Sequence, residues 1–396
     1  MGEKNLDFDT VVDRRNTYSL KYDFAEKRGK PKDVLPLWVA DMDFKVSSYI
    51  IEALDTINNH GIYGYSEGKE EYFDALSSWL KRHYDWDVSE EWLIKTPGVV
   101  FALAMAVQAF TEEGDAVLIQ QPVYYPFSEV IEDNDRRIVR NDLVQGPDGR
   151  YHIDFEDFEK KIVEENVKLF LLCNPHNPVG RVWTGEELTR LGDICLKHKV
   201  IVVSDEIHSA FVFKGKHTVF TGIKEEYKEI GIVCTSPSKT FNIAGLQTSN
   251  IFIANEELRK KFRRRVNAAG YSQLNLAGLA ACEAAYRHGD EWLDAVLKYI
   301  KENADYTKAF LQEKLPKVKM TELEGTYLVW LDFREYGLQG GELDKLIINK
   351  AGLWLDSGSM FGKVGDGFQR INIACPRKVL AEALQKLASA LESEIK

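Results

Sequence analysis

Five short apolar runs constrain this chain more than anything else in it. They are "DAVLIQ" (115–120), "VKLFLLC" (167–173), "KVIVVS" (199–204), "GIVCT" (231–235) and "NIFIAN" (250–255). Each has the length of a strand, and each is continuously apolar rather than alternating, the pattern of strands buried on both faces. Amphipathic stretches separate several of them. "TGEELTRLGDICLKHK" is one, with Thr184 placed to cap its start and Glu187 three residues on to complete a capping box. Strands alternating with helices predict an α/β fold, a mainly parallel sheet sandwiched by helices.

The organisation changes on either side of these runs. Residues 1–50 look irregular and contain Pro31, Pro36 and "LPLWVADMDF". From about residue 286 one long helical pattern, "GDEWLDAVLKYIKENADYTKAFLQEKL", leads to "TYLVWLDF" and "FQRINIAC", which read as strands. A chain of 396 residues is long enough for two domains. We expect a large domain over 51–285 and a smaller α+β domain over 286–396, to which the N-terminal segment 1–50 also belongs.

Four of the buried runs are followed by polar or constrained loops: "QPVYYPF", "NPHNPVG", "DEIH" and "TSPSK". In open α/β sheets, ligands bind outside the carboxyl ends of the strands, so these loops predict one shared site. Lys239 lies in the last loop between apolar segments. A lysine near a core needs a partner or loses its proton, and a neutral amine can form a Schiff base with a carbonyl. Asp205 directly follows the run "KVIVVS" one strand–helix–strand unit earlier, either as a helix cap or as a carboxylate for a cation. Gly98 precedes the apolar helical pattern "VVFALAMAVQAF", whose free N–H groups suit a phosphate, and Ser236 and Ser238 add hydroxyl donors. Tyr124 and Tyr125, bracketed by Pro122 and Pro126, are core aromatics or a stacking surface for a flat ring. The two Asn-Pro pairs of "NPHNPVG" form a turn that can present Asn177. Arg370, within "GFQRINIA", needs an anion, whether a substrate carboxylate or a structural partner. Together these groups suit pyridoxal 5'-phosphate, a flat phosphorylated aldehyde.

Bulk properties narrow the partners. The net charge of −11 argues against nucleic acid, and the basic stretch "LRKKFRRR" (258–265) reads as a solvated helix face. The five cysteines are scattered without a CxxC pair, which predicts reduced thiols in a cytoplasmic protein, with neither disulfides nor a metal site. "MGEKNLDFDT" lacks the apolar core of a signal peptide, and Leu6 breaks the myristoylation pattern that Gly2 would begin. No run is long and apolar enough to span a membrane, so we expect no membrane partner.

The segments "CNPHNPVG", "SDEIH", "SPSKTFNIAGLQ" and "RINIA", in this order, resemble fold-type I pyridoxal-phosphate enzymes, the aspartate aminotransferase superfamily, across nearly the whole chain. The resemblance implies that Lys239 is the covalent cofactor anchor and the base for the Cα proton. Asp205 would pair with the pyridine nitrogen, Asn177 would lie near the phenolic oxygen and Tyr124 would stack on the ring. Gly98, Val99, Val100, Ser236 and Ser238 would hold the phosphate. Arg370 would take the α-carboxylate of an amino-acid substrate, with Asn177, Tyr125 and Ala40 beside it. Tyr65, in "YGYSEG", resembles the tyrosine that reaches the phosphate of a neighbouring subunit, which implies a homodimer with shared active sites.

One departure from the superfamily pattern is informative. Many aminotransferases carry Asp-x-x-Tyr where this chain has "DEIH", ending in His208. With "LPLWVADMDF", "QPVYYPF" and "GSMFG", this resembles the cystathionine β-lyase-like, C–S β-lyase branch. That branch implies α,β-elimination from cystathionine or related S-substituted cysteines. The products would be a thiol such as homocysteine, pyruvate and ammonia, with Tyr124 or Tyr125 protonating the departing sulfur. An aminotransferase is the alternative, and a regulatory binding protein with secondary lyase activity is a third expectation.

Overall fold

The computed structural model describes residues 6–338 and 340–394. The first five residues, including Gly2 of the myristoylation reading, lie outside the described residues. In chain order the strands are β1 (Leu35–Pro36), β2 (Leu93–Thr96), β3 (Ala116–Ile119), β4 (Arg137–Arg140), β5 (Val144–Gln145), β6 (Tyr151–His152), β7 (Leu169–Cys173) and β8 (Ile201–Asp205). There follow β9 (Gly231–Thr235), β10 (Ser249–Phe252), β11 (Lys319–Met320), β12 (Leu328–Asp332), β13 (Leu353–Trp354), β14 (Asp356–Ser357) and β15 (Phe368–Asn372).

The central sheet has the order β2-β10-β9-β8-β7-β3-β4. Five neighbouring strands, from β4 to β9, run parallel, as expected, and β10 runs antiparallel to both β9 and β2. The "NIFIAN" run is therefore central but reversed, a direction that a continuous apolar pattern does not encode. β2 and β4 are also strands that the pattern does not announce, because "LIKT" and "RIVR" mix charge with apolar residues.

Alternate side chains of the buried strands feed two cores. Leu118, Phe170, Leu172 and Val202 face one layer, and Val117, Ile119, Leu171 and Val203 face the other. This period of two on a sheet covered by helices is why the runs read as unbroken apolar segments. The helix Gly185–His198 carries the predicted capping box, with the Thr184 hydroxyl and the Glu187 carboxylate bonded reciprocally to backbone N–H groups. The basic stretch lies on the helix Glu256–Ala268, which buries Phe262 and Val266 and leaves most of its arginines and lysines exposed.

After the 25-residue helix Asp290–Lys314, a second, antiparallel sheet is ordered β11-β12-β15-β14. The N-terminal segment joins this end of the chain: β1 pairs in parallel with β13, Leu35 opposite Leu353 and Pro36 opposite Trp354. Two relationships position the site. Cys173, Asp205 and Cys234 are in register at the carboxyl ends of β7, β8 and β9. Arg370 on β15 lies between Trp330 and Asp356 on its flanking strands.

Candidate active site

The segment after β1 crosses the carboxyl ends of the central strands and is fastened from both sides. From β15, the Asn372 side chain donates to the carbonyls of Val39 and Asp41, and the Asn372 N–H donates to Leu37 O. From the loop after the lysine, Asn242 accepts from Met42 N–H and donates to the carbonyls of Met42 and Phe44. Pinned between them, the buried Ala40 carbonyl accepts from Lys239 Nζ at 2.5 Å and from the Tyr327 hydroxyl at 2.9 Å.

Lys239 sits in the short helix Pro237–Thr240, directly after β9. Burial lowers its ammonium from the usual 10.5 to about 8; the Asp41 and Asp205 carboxylates oppose that shift and the Arg370 charge reinforces it. Asp205, buried at the end of β8, is pushed up from 3.8 to about 7 by the same loss of water. The Ile207 N–H opposes the shift by donating to its carboxylate at 3.1 Å. The two groups have moved toward each other, as expected where a lysine must become neutral beside an acid that still needs a cation.

Arg370 is buried in a cage. One Nη donates to the Asn177 side-chain oxygen at 3.0 Å. The other donates to Trp38 O at 2.9 Å and to the Asp356 carboxylate. The guanidinium lies 4.9 Å from the centre of the Phe361 ring. Three of its five donors are so engaged. Its Nε is buried without a partner among the described residues. Of the two anion sources considered from the sequence, the structural acid is present as Asp356, and two donors of the guanidinium are left over.

Tyr124 and Tyr125 are half-buried at the start of the helix Pro126–Glu132, their rings 5.2 Å apart. The Tyr124 N–H donates to Asn177 O at 3.0 Å, which ties this loop to the Asn-Pro turn. Burial raises both phenols above their ordinary value, so both keep their protons near neutrality. His208 is buried, stacks edge-on to Tyr327 at 5.7 Å and has an unpartnered Nδ1 among the described residues. Burial holds it well below 6.5, hence neutral.

The phosphate candidates divide. Gly98 caps the helix Val99–Phe110, and a Cβ built there would meet no atom within 4 Å, so the space before that helix start is open. Val99 is buried and Val100 exposed in the first turn. The Ser236 hydroxyl already has partners within the chain. It donates to Thr248 O at 2.6 Å and accepts the Ser238 N–H at 3.0 Å, capping the short lysine helix. Tyr65 is fully exposed and is not brought to this site by its own chain.

Sequence reasoning missed Asp356, Tyr327, Trp38 and Asn372. Asp356 and Asn372 carry no local signal, because each acts through a partner that only the sheet supplies. Among the described residues no group of three His, Cys, Asp or Glu side chains is placed to hold a metal ion.

The sheet order, the lysine after β9 and the acid after β8 define the class, and the chain belongs to the aminotransferase class I and II family, whose model matches residues 32–387. It is 45% identical to cystathionine beta-lyase PatB of Bacillus subtilis (strain 168), over 98% of this chain and all of that one. The structure of cystalysin from Treponema denticola, which contains a pyridoxal 5'-phosphate cofactor, superposes with a TM-score of 0.94 at 40% identity, covering 98% of this chain and 99% of that one. A pyridoxal-phosphate-bound putative aminotransferase from Clostridium difficile 630 superposes with a TM-score of 0.96 at 42% identity, over 98% of this chain and all of that one.

The residues fit this cofactor. The open helix start at Gly98 suits its phosphate, the buried Asp205 its ring nitrogen, and the Lys239 amine, which loses its proton more readily than an ordinary lysine, its aldehyde.

Proposed function

We propose that this chain is a pyridoxal-phosphate-dependent C–S β-lyase that cleaves cystathionine or related S-substituted cysteines to a thiol, pyruvate and ammonia. The observation that carries this reading is its full-length likeness to a cystathionine beta-lyase. When bound, the cofactor supplies a carbonyl for the substrate amine and a ring that takes up the electrons freed at Cα.

The chain's own groups do the rest. Lys239 would anchor the cofactor, Asp205 would hold the proton on its ring nitrogen, and Tyr124 would stack on the ring. Val99, Val100, Ser236 and Ser238 would surround the phosphate beyond Gly98, and the Ser236 hydroxyl also caps the short lysine helix. Neutral His208 would fill the place beside the ring without adding charge. Arg370, steadied by Asn177 and Asp356, would receive the substrate α-carboxylate with its remaining donors. Lys239 Nζ then takes the Cα proton, a role that requires the neutral amine that burial favours. The Ala40 carbonyl, already bonded to Nζ, aims the amine. The departing sulfur leaves as a thiolate and takes a proton from the Tyr125 or Tyr124 hydroxyl, both kept protonated by burial. Water then releases pyruvate and ammonia.

Fully exposed Tyr65, flanked by exposed Ile62 and Tyr63, supports a homodimer in which Tyr65 reaches the partner's phosphate site. The β1–β13 pairing supports a small domain built from residues 1–50 and 286–396 around a large domain of 51–285. Among the described residues no helix is long and apolar enough to cross a membrane. All five cysteines are free and buried, which supports a reducing, cytoplasmic setting. The test is release of thiol and pyruvate from L-cystathionine without a keto acid.

A further inference from the structure

Above the Arg370 cage lies a wall that the reaction just described does not use. The indole rings of Trp38 and Trp354 are stacked, 4.3 Å apart and 11° from parallel. The backbone of Trp38 belongs to the cage, since its carbonyl accepts from Arg370. Its ring extends outward, and Arg28 lies over it, 5.9 Å from the ring centre. Lys30 lies over the Trp354 ring at the same 5.9 Å. Phe361, beneath Arg370, neighbours Tyr125, with ring centres 6.1 Å apart. Among the charges felt by the Tyr125 hydroxyl are those of Asp356, Arg370, Glu129 and Arg28. Trp38 therefore links the two arginines, its carbonyl bonded to Arg370 and its ring beneath Arg28, and the Tyr125 hydroxyl feels both charges.

Arg28 is exposed, and among the described residues no carboxylate lies within ion-pair distance of it. The Trp38 Nε1 is buried without a hydrogen-bond partner among the described residues. One arginine held inside the site, with an arginine and a lysine over the two neighbouring indole rings, suits a ligand with an acid at each end. On the lyase reading, the inner acid is the α-carboxylate and the sulfur lies near Tyr125. The outer acid then belongs to the group carried on sulfur.

We propose that Arg28 is a specificity-determining residue that takes the distal carboxylate of the S-substituent, so that the preferred substrates are S-substituted cysteines ending in a second acid. This rests on the lyase reading of the same site. Because Arg28 is solvated, its ion pair is worth the modest amount of an exposed pair, a factor of about five in affinity.

The experiment compares kcat/KM for L-cystathionine, which has a distal carboxylate, with that for S-ethyl-L-cysteine, which has none. The preference of the unsubstituted holoenzyme for L-cystathionine should fall about fivefold in Arg28→Gln, mainly through KM, and be largely retained in Arg28→Lys. Added salt should erode the preference of the unsubstituted protein and leave that of Arg28→Gln unchanged. An Arg28→Gln protein with the original preference, or one that loses kcat/KM equally for both compounds, overturns the assignment while leaving the lyase reading intact. If the unsubstituted holoenzyme releases thiol from neither compound, both fall together.

Discussion

Arg370 and Asp356 face each other across adjacent strands of the small sheet and form a buried ion pair, so the arginine proposed to take a substrate carboxylate is already held by an acid of its own chain. Burial raises the Asp356 carboxyl above its ordinary value, and the arginine opposes that shift. Removing one partner of such a pair leaves an uncompensated buried charge. Asp356→Ala should therefore lower the unfolding free energy by roughly 3 kcal/mol, measured by urea denaturation. With the guanidinium no longer held by β14, KM for L-cystathionine should rise about tenfold while kcat falls less. Unchanged stability and KM would show that the pair does not position Arg370.

The Lys239 amine must be neutral to take a proton, and its value of about 8 sets where that occurs. On the lyase reading, kcat should rise with pH and level off above about 8, because kcat reports on groups in the enzyme–substrate complex. Lys239→Ala should lower kcat by at least about a thousandfold and remove the visible absorbance of the lysine-bound cofactor. A pH profile of kcat flat from 6 to 9 would contradict the assignment of the base.

Asp205 makes the opposite kind of prediction, one about stability. Its carboxyl titrates near 7 when folded and near 3.8 in the ordinary state. Between those values the folded protein holds a proton that the unfolded chain has released, so stability falls as pH rises through that window. In cofactor-free protein, Asp205→Asn should be more stable than the unsubstituted chain at pH 8, by at most about 4 kcal/mol. That gain should fade toward pH 4. The same variant should lose cofactor more readily in dialysis. A destabilised Asp205→Asn protein at pH 8 would mean that the acid serves the fold rather than the cofactor.

Tyr65 tests the assembly. A homodimer should sediment at twice the 45.2 kDa of one chain. Tyr65→Phe should weaken cofactor retention without changing that mass, because the ring still packs while the hydroxyl is lost. A monomer that retains full activity would rule out shared sites.

Much of the site was legible because it is built from loops that directly follow buried strands. "KVIVVS" leads to Asp205 and "GIVCT" to Lys239, and both lie where strand length and apolarity place them. The roles of Arg370 and Asn177 came from the family resemblance, and their direct bond adds a contact between residues nearly two hundred positions apart. What stayed hidden depends on pairing across the sheet or on backbone. Asp356 is an ordinary acid until β14 meets β15, and Ala40 matters through a carbonyl that any residue possesses. The Ser236 hydroxyl has a second task that the sequence does not announce, because a cap and a phosphate donor have the same local sequence. The reversed direction of β10 is a property of connection, not of composition.

The most direct test of the central claim is to give purified holoenzyme L-cystathionine without any keto acid and to follow pyruvate and free thiol together. A β-lyase releases both steadily and in equal amounts. Release of neither, with amino transfer appearing once a keto acid is supplied, would contradict the account and assign the same lysine, aspartate and arginine to an aminotransferase.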